Sequence, residues 1–245
     1  MGEGSGNAAA VRITKLAKRY GTVVALSKVS LEVPAGEAFG LVGANGAGKT
    51  TLIKCMLELT AGDSGSVEIF GVPARLPRAR RRLSYVPERF MPPHYLRGGE
   101  FLAAFAQLAG VRYDAARARA LLAELELDAS VLARPVRQLS KGTTQKLGLA
   151  AAFLLERELC VLDEPMSGLD PAARVAVKSV LRRLAAGGST LFFTSHVLAD
   201  VEELCSSIAV LEQGSVRFRG APSALCETYG EARLEQAFMR CVRGK

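Results

Sequence analysis

The 245-residue sequence predicts an α/β fold: a core with a mainly parallel sheet, an antiparallel β subdomain on its N-terminal side and an inserted α-helical subdomain. Three observations carry that expectation. Apolar strand signals recur between helical stretches, from "GEAFGLVG" through "ELCVLDEP" and "STLFFTSH" to "SIAVLEQGSVRFRG", and such alternation argues for parallel strands joined by crossover helices. The early runs "VRIT", "SLEV" and "GSVEIFG" alternate apolar with polar residues between turn signals, the pattern of an antiparallel sheet. From about Glu88 to Glu156 the chain turns Ala/Leu-rich with a helical period, as in "GEFLAAFAQLAG" and "AARARALLAELEL", and reads as a helical insertion.

The opening "MGEGSGNAAA" is small and uncharged apart from Glu3, and a flexible tail is expected over residues 1–10. It lacks the basic and apolar regions of a signal peptide, and Ser5 sits one place too early for a myristoylation pattern. After the antiparallel runs, "GEAFGLVG" is a continuous apolar run ending in glycine, which fits a buried parallel strand. A helix is expected from Lys49 to about Leu59, and the helical insertion occupies 88–156. "PAARVAVKSVLRRLAAGG" has Pro171 near its start and glycines past its end, as a helix should. "SIAVLEQGSVRFRG" reads as a hairpin turning at Gln213 and Gly214, and a single C-terminal helix is expected over 229–245. The chain is thus expected to be one domain over 11–245, with core and antiparallel parts in 11–87 and 157–228.

Composition narrows the class. At 49% hydrophobic and 23% charged the chain is ordinary for a globular protein with a sizeable core. Its longest apolar stretch near the middle, "LGLAAAFLL", is bounded by Lys146 and Glu156 and falls far short of the roughly 20 residues a membrane span needs. Cys55, Cys160, Cys205, Cys226 and Cys241 show no metal-site spacing, and an odd, scattered set fits a reduced protein. A net charge of +8 is compatible with nucleic acid, an anionic membrane face or phosphate ligands. The densest basic cluster, "RLPRARRR" at 75–82, has no interleaved aromatic residues on which bases could stack. It is read as a solvated connecting segment, and no nucleic-acid partner is expected.

Two stretches carry chemistry. "GANGAGKT", Gly43 to Thr50, fits the phosphate-loop pattern and lies between an expected strand and an expected helix. Its glycines let successive N–H groups, from Gly43 through Asn45, Gly46, Ala47 and Gly48, turn toward phosphate oxygens, with Thr51 following at the helix start. Lys49 is expected to reach the β- and γ-phosphates, and Thr50 to hold Mg²⁺. "LCVLDEP" ends a buried strand in two carboxylates, at the strand end where open α/β sheets bind ligands. Asp163 is expected to hold Mg²⁺ and Glu164 to act as general base on a water; alone, the pair would read as acidic residues meeting solvent. His196, ending "FFTSH", falls at the same sheet edge and could contact the γ-phosphate or the water, where a lone histidine is usually structural. His94 takes that plainer reading. The stretch "LSKGTTQKL", with Ser140 as an N-cap, is either a capped helix start alone or half of a nucleotide site.

Taken in order, "GANGAGKT", "YVPE", "LSKGTTQK", "LCVLDEP", "SGLD" and "TSH" carry a resemblance: from about Val11 to Val242 the chain resembles the nucleotide-binding subunit of an ATP-binding-cassette transporter. The resemblance implies an ATPase that uses ATP and Mg²⁺ and works as a dimer with a second copy of the cassette. It implies that Tyr20 in "KRYG" stacks on adenine, the alternative being an aromatic packed on a strand end. Ser140 and Gly142 would touch the γ-phosphate of ATP held by the other copy, and Asp170 of "SGLD" would sit at the seam between them. Lys141 departs from the family's usual glycine but keeps its backbone N–H. Glu88 stands where the family usually has Gln, as a ligand for Mg²⁺ or water or as a loop carboxylate. Glu88 and the ending "ARLEQAFMRCV" resemble the branch that pairs with type-2 export permeases. The implied partner is a separate integral membrane permease, docked near "ERFMPPHYL", or that stretch is ordinary packing. The implied location is the cytoplasmic face of the inner (plasma) membrane, peripheral through the permease. A chromosome or repair ATPase would interrupt the cassette with long coiled coils, whereas about 90 residues without sustained heptads separate Lys49 from Ser140. A translation-type relative would resemble two cassettes, and a module that only senses nucleotide would not need Glu164 and His196.

Overall fold

The computed structural model describes residues 9–244. Strands β1 (Ala9–Tyr20) and β2 (Val23–Pro34) form a long antiparallel hairpin, paired from Ala9 with Pro34 to Tyr20 with Val23. Val11, Ile13 and Leu16 turn inward. The intervening Arg12 points out and bridges Glu32 on one side and Glu68 on the other. This in–out alternation is what a sheet with one wet face requires. Ala9 and Ala10, expected in the N-terminal tail, are part of a strand. Residues 1–8 lie outside the described residues. Ala10 is fully buried with its carbonyl accepting from the Phe70 N–H. Alanines carry no tail signal of their own, and backbone pairing recruits them.

Next come β3 (Ala38–Val42), helix α1 (Lys49–Met56), β4 (Ser64–Ile69) and β5 (Val72–Pro73). The last two complete an antiparallel sheet in the order β2-β1-β4-β5. Helix α1 stops short of the expected Leu59: Glu58 adopts a left-handed φ of 57°, which ends the helical path. The basic cluster is more ordered than a solvated connection. It contains the one-turn helix α2 (Pro77–Arg80), with Ala79 buried and Arg80 donating to the Ala74 carbonyl. Strand β6 (Leu83–Val86) follows.

The insertion holds α3 (Gly98–Leu108), α4 (Ala115–Glu124), two 3₁₀ turns at 129–132 and 136–138, and α5 (Lys141–Leu154). Phe90 faces inward here: its ring lies where a side chain on Gly148 would sit and meets Phe101 edge-on at 5.7 Å. The core then resumes with β7 (Leu159–Leu162), α6 (Pro171–Ala186), β8 (Thr190–Ser195), α7 (Leu198–Leu204), β9 (Ser207–Glu212) and β10 (Ser215–Gly220). The turn between β9 and β10 is at Gln213 and Gly214, both at positive φ, as a two-residue hairpin requires. The chain ends in two helices, α8 (Pro222–Tyr229) and α9 (Leu234–Arg243), where one was expected; Gly230 at φ 63° breaks them apart.

The second sheet runs β10-β9-β3-β8-β7-β6, parallel except for the β9–β10 hairpin. It is covered on both faces. Along β3, Phe39 and Leu41 face one apolar cluster with α1 and the antiparallel sheet, while Ala38 and Val42 face the other with α5, α6 and α7. Strands β7 and β8 split the same way, with Val161 and Phe192 on one side and Leu162 and Phe193 on the other. Two-sided burial explains why these strands read as unbroken apolar runs. No described helix is long and apolar enough to cross a membrane.

Candidate active site

Residues 43–48 turn from β3 into α1, and space dictates two of them. A Cβ on Gly43 would lie 2.4 Å from the Leu211 carbonyl oxygen, and one on Gly48 would lie 2.5 Å from that of Ala25. Gly48 also holds φ 109° as the N-cap of α1, a conformation glycine adopts without steric cost. The Gly214 N–H donates to the Ala47 carbonyl at 2.9 Å, tying the loop to the β9–β10 turn. Lys49 folds back over the loop and donates to the carbonyls of Gly43 (2.7 Å) and Ala44 (3.2 Å). The N-terminal turn of α1 points its unpaired N–H groups into the same concavity, a ready anion site.

The ends of three neighbouring strands supply the opposite wall. Asp163, just past β7, is 1% exposed. Its Oδ2 accepts from Thr50 Oγ1 at 3.0 Å and its Oδ1 from Thr194 Oγ1 at 2.7 Å. Thr194 in turn accepts from the Glu164 N–H at 2.8 Å, and the Asp163 N–H donates to the Val86 carbonyl. On β6, burial and the Asp163 charge push the Tyr85 phenol up to about 12, so it stays neutral beside the carboxylate. Glu164 sits at φ 48°, unusual for a residue with a side chain, and such strain concentrates at functional sites. That turn delivers its Oε2 to 2.7 Å from His196 Nδ1, and the His196 N–H donates to the same oxygen at 3.3 Å. An ionised carboxylate only accepts, so in this contact Nδ1 is the donor.

These walls enclose a cavity of about 370 Å³, within the range of small-molecule sites. Of the residues singled out from the sequence, Asn45, Gly46, Gly48, Lys49, Thr50, Thr51, Glu88, Asp163, Glu164 and His196 line it. Gly43 and Ala47 form the underside of the loop, with Ala47 buried. Tyr20 lies outside the lining: it is exposed near the tip of the β1–β2 hairpin, with Lys18 Nζ 5.4 Å from its ring centroid. Val23, Val24 and Ala25 line the cavity from that hairpin, and Ser167 lines it after β7. None of the four was singled out as a site residue from the sequence, although Ser167 opens the "SGLD" stretch. The signal available was a pair of exposed valines directly after the Tyr20 turn. Ser140, Gly142 and Asp170 are also outside the lining. Ser140 caps α5 through the Thr143 N–H (3.1 Å) and Asp170 caps α6 through the Ala173 N–H (2.9 Å).

The donor set suits Mg²⁺. The Thr50 hydroxyl and the Asp163 carboxylate are adjacent hard oxygens, and Glu88 lines the same cavity. No group of three or more His, Cys, Asp and Glu is gathered among the described residues. Mg²⁺ is commonly held by one or two carboxylates together with phosphate oxygens, so a dedicated cage is not needed.

A phosphate loop opening a helix, faced by a strand-end carboxylate pair, defines a phosphate-loop nucleotide-binding domain. Residues 26–167 match the model of the ABC transporter family. An ABC transporter ATP-binding protein of Nostoc sp. is 40% identical over 202 residues, covering 81% of this chain and 60% of that protein. The Nod factor export ATP-binding protein I of Burkholderia lata is 39% identical over 217 residues, covering 86% of this chain and 70% of that protein. Among solved structures, an ATP-binding subunit of an ABC transporter superposes with a TM-score of 0.84 at 30% identity, covering 95% of this chain and 99% of that one. A dimeric post-hydrolysis cassette bound to ADP and Pi superposes at 0.78 with 21% identity, covering 86% and 98%. The chain belongs to the ABC transporter family and has the fold of its ATP-binding cassette. It spans about three-fifths of the length of relatives from Nostoc and Synechocystis.

Proposed function

We propose that the chain is the ATP-hydrolysing subunit of an ABC transporter, driving a separate membrane permease, in export. The observation that carries this is the convergence of Lys49, the Thr50–Asp163 pair and the Glu164–His196 pair on one cavity. The Lys49 ammonium exchanges its two loop carbonyls for β- and γ-phosphate oxygens. Glu164 accepts a proton from the attacking water as general base, and His196 holds that carboxylate in place. Thr50 and Asp163, with Glu88 nearby, would hold Mg²⁺, which neutralises phosphate charge. The exposed Tyr20, beside Val23 and Val24, offers a face for the adenine ring.

The remaining sequence-identified residues belong to a second half-site. Ser140, Gly142 and Asp170 lie outside the cavity because they serve the ATP of a second copy. Support comes from the dimeric cassette among the similar structures and from the export function in the names of the Nod factor relatives. Met91, 86% exposed, and Tyr95 offer the permease an apolar foothold, while Phe90 is committed to the interior. The chain then sits peripherally at the cytoplasmic face of the inner membrane, with no nucleic-acid partner. In this reading the core comprises 11–87 and 157–228, the helical part 88–156 and the terminal part 229–245.

The test joins both half-sites. Glu164→Gln keeps the shape of the site and leaves Lys49, Thr50 and Asp163 intact, so it should bind Mg-ATP, hydrolyse it very slowly and accumulate as a closed dimer. Adding Ser140→Arg should abolish that dimer by obstructing the contact with the partner's γ-phosphate. Light scattering after size exclusion, with and without Mg-ATP, reads both. An ATP-dependent dimer that survives Ser140→Arg would overturn the assignment of "LSKGTTQKL" to the partner's site.

A further inference from the structure

Three contacts along one side of the first turns of α5 point to a role for Lys141. The Lys141 stem crosses Gly168: a Cβ there would lie 3.5 Å from Lys141 Nζ and 3.6 Å from Cε. One residue on, a Cβ on Gly142 would lie 3.6 Å from Leu169 Cδ2. One turn further, the buried Gln145 donates through Nε2 to the Pro165 carbonyl at 3.4 Å. The start of α5 is thus laid along residues 165–169, the segment that leaves Glu164. Met166 and Leu169 anchor that segment in the apolar cluster, and its backbone has two short-range bonds, Ser167 N–H to the Glu164 carbonyl (3.0 Å) and Leu169 N–H to the Met166 carbonyl (3.3 Å). Gly168 itself sits at φ 73°. Between the buried Met166 and Leu169, the exposed Gly168 is the part of the segment most open to local fluctuation, and a four-carbon stem lying over it supplies cover that a glycine at 141 could not.

We propose that Lys141 is a positioning residue: its aliphatic stem clamps the 167–169 turn to the start of α5, so that Ser140 and Asp170 present a single rigid face and Glu164 is held at its root. The final step rests on the reading, proposed above, of Ser140 and Asp170 as reaching a second copy. The clamp itself lies within one chain. Lys141→Ala removes the stem while keeping a strong helix former, and Lys141→Met keeps the stem without the charge.

Two readouts test it. In Lys141→Ala the amides of Ser167 to Leu169 should exchange with deuterium at least about threefold faster, reflecting easier local opening. Turnover at saturating Mg-ATP should fall roughly threefold to tenfold while KM for ATP stays within about twofold, the pattern of lost positioning rather than lost binding. Lys141→Met should restore both. Either readout changing without the other overturns the proposal, as does no change in either. Equal loss in Lys141→Met overturns it too, because the ammonium and not the stem would then be at work. The exchange measurement is made on the nucleotide-free chain, so its result is independent of whether Ser140→Arg blocks the dimer.

Discussion

Thr194 shows how much of the site hangs on one hydroxyl. Fully buried, it donates to Asp163 and accepts from the Glu164 N–H, so it aligns both acids from the neighbouring strand. Thr194→Val keeps the volume and removes both bonds. A buried polar group left unpaired costs about 1–3 kcal/mol. If that loss falls on the reacting geometry, turnover drops by roughly 5- to 150-fold. Phosphate release at saturating Mg-ATP measures it, and Thr194→Ser should recover most of the rate. Lys49→Ala should abolish hydrolysis, because among the described residues no other lysine or arginine lines the cavity. Unchanged turnover would exclude this loop as the site. At this scale the sequence was most legible where chemistry demands one residue type, as at Lys49, Asp163 and Glu164. It was least legible at Val23 and Val24, since an exposed valine at a strand start has many ordinary reasons to be there.

At the scale of elements, caps set the boundaries. Asp114 accepts from the N–H groups of Ala116 and Arg117 at the start of α4. Those two bonds hold its carboxyl below the usual carboxylate range. A lowered folded-state pKa adds stability that is fully present above the ordinary carboxylate pKa and is lost as pH falls through the lowered value. Asp114→Ala should therefore lower Tm at neutral pH, and the gap to the parent should close as pH falls through the acid range. Thermal unfolding of both proteins across that range checks the sign. The start of α5 was legible because a side-chain cap at Ser140 is local chemistry, and that of α6 because Pro171 suits a first helical turn. Strand β6 was not expected as an element. Its Ser84 and Tyr85 break the apolar run, and the strand exists because β7 pairs along its whole length. The split between α8 and α9 was readable at Gly230, a conventional helix stop. The start of β1 at Ala9 was not, because only its pairing with Pro34 makes those alanines a strand.

Across the whole molecule, many of the basic residues have intramolecular acidic partners. Arg174 and Lys178 pair with Asp200, and Lys178 and Arg182 with Glu203, bracing α6 against α7. Arg82 pairs with Glu158, Arg183 with Glu124 and Arg240 with Glu231. Such pairs cancel in the net charge, so the excess of +8 lies on other basic residues, among them Arg75, Arg78 and Arg81, in a stretch with no interleaved aromatic residue on which bases could stack. Single- and double-stranded DNA should bind weakly, with affinity collapsing as salt rises. Titrations at low and physiological ionic strength test this, and tight binding at the higher salt would contradict it.

The two glycines that floor the phosphate loop have a consequence for tracing descent. Gly43 is fixed by the Leu211 carbonyl and Gly48 by the Ala25 carbonyl, so their identity answers to the protein's own packing whether or not a nucleotide ever arrives. A descendant that had abandoned hydrolysis would still need both to fold and would go on displaying the outline of a phosphate loop. Glu164 is under no such obligation. Its left-handed backbone is one that glycine or asparagine occupies more comfortably, and the contact it makes with His196 serves the cavity rather than either apolar cluster. Once the chemistry ceased to be selected, drift toward an easier residue would begin there. The Glu164–His196 pair, rather than the glycines, is therefore the place to look when separating working copies of this chain from silent ones.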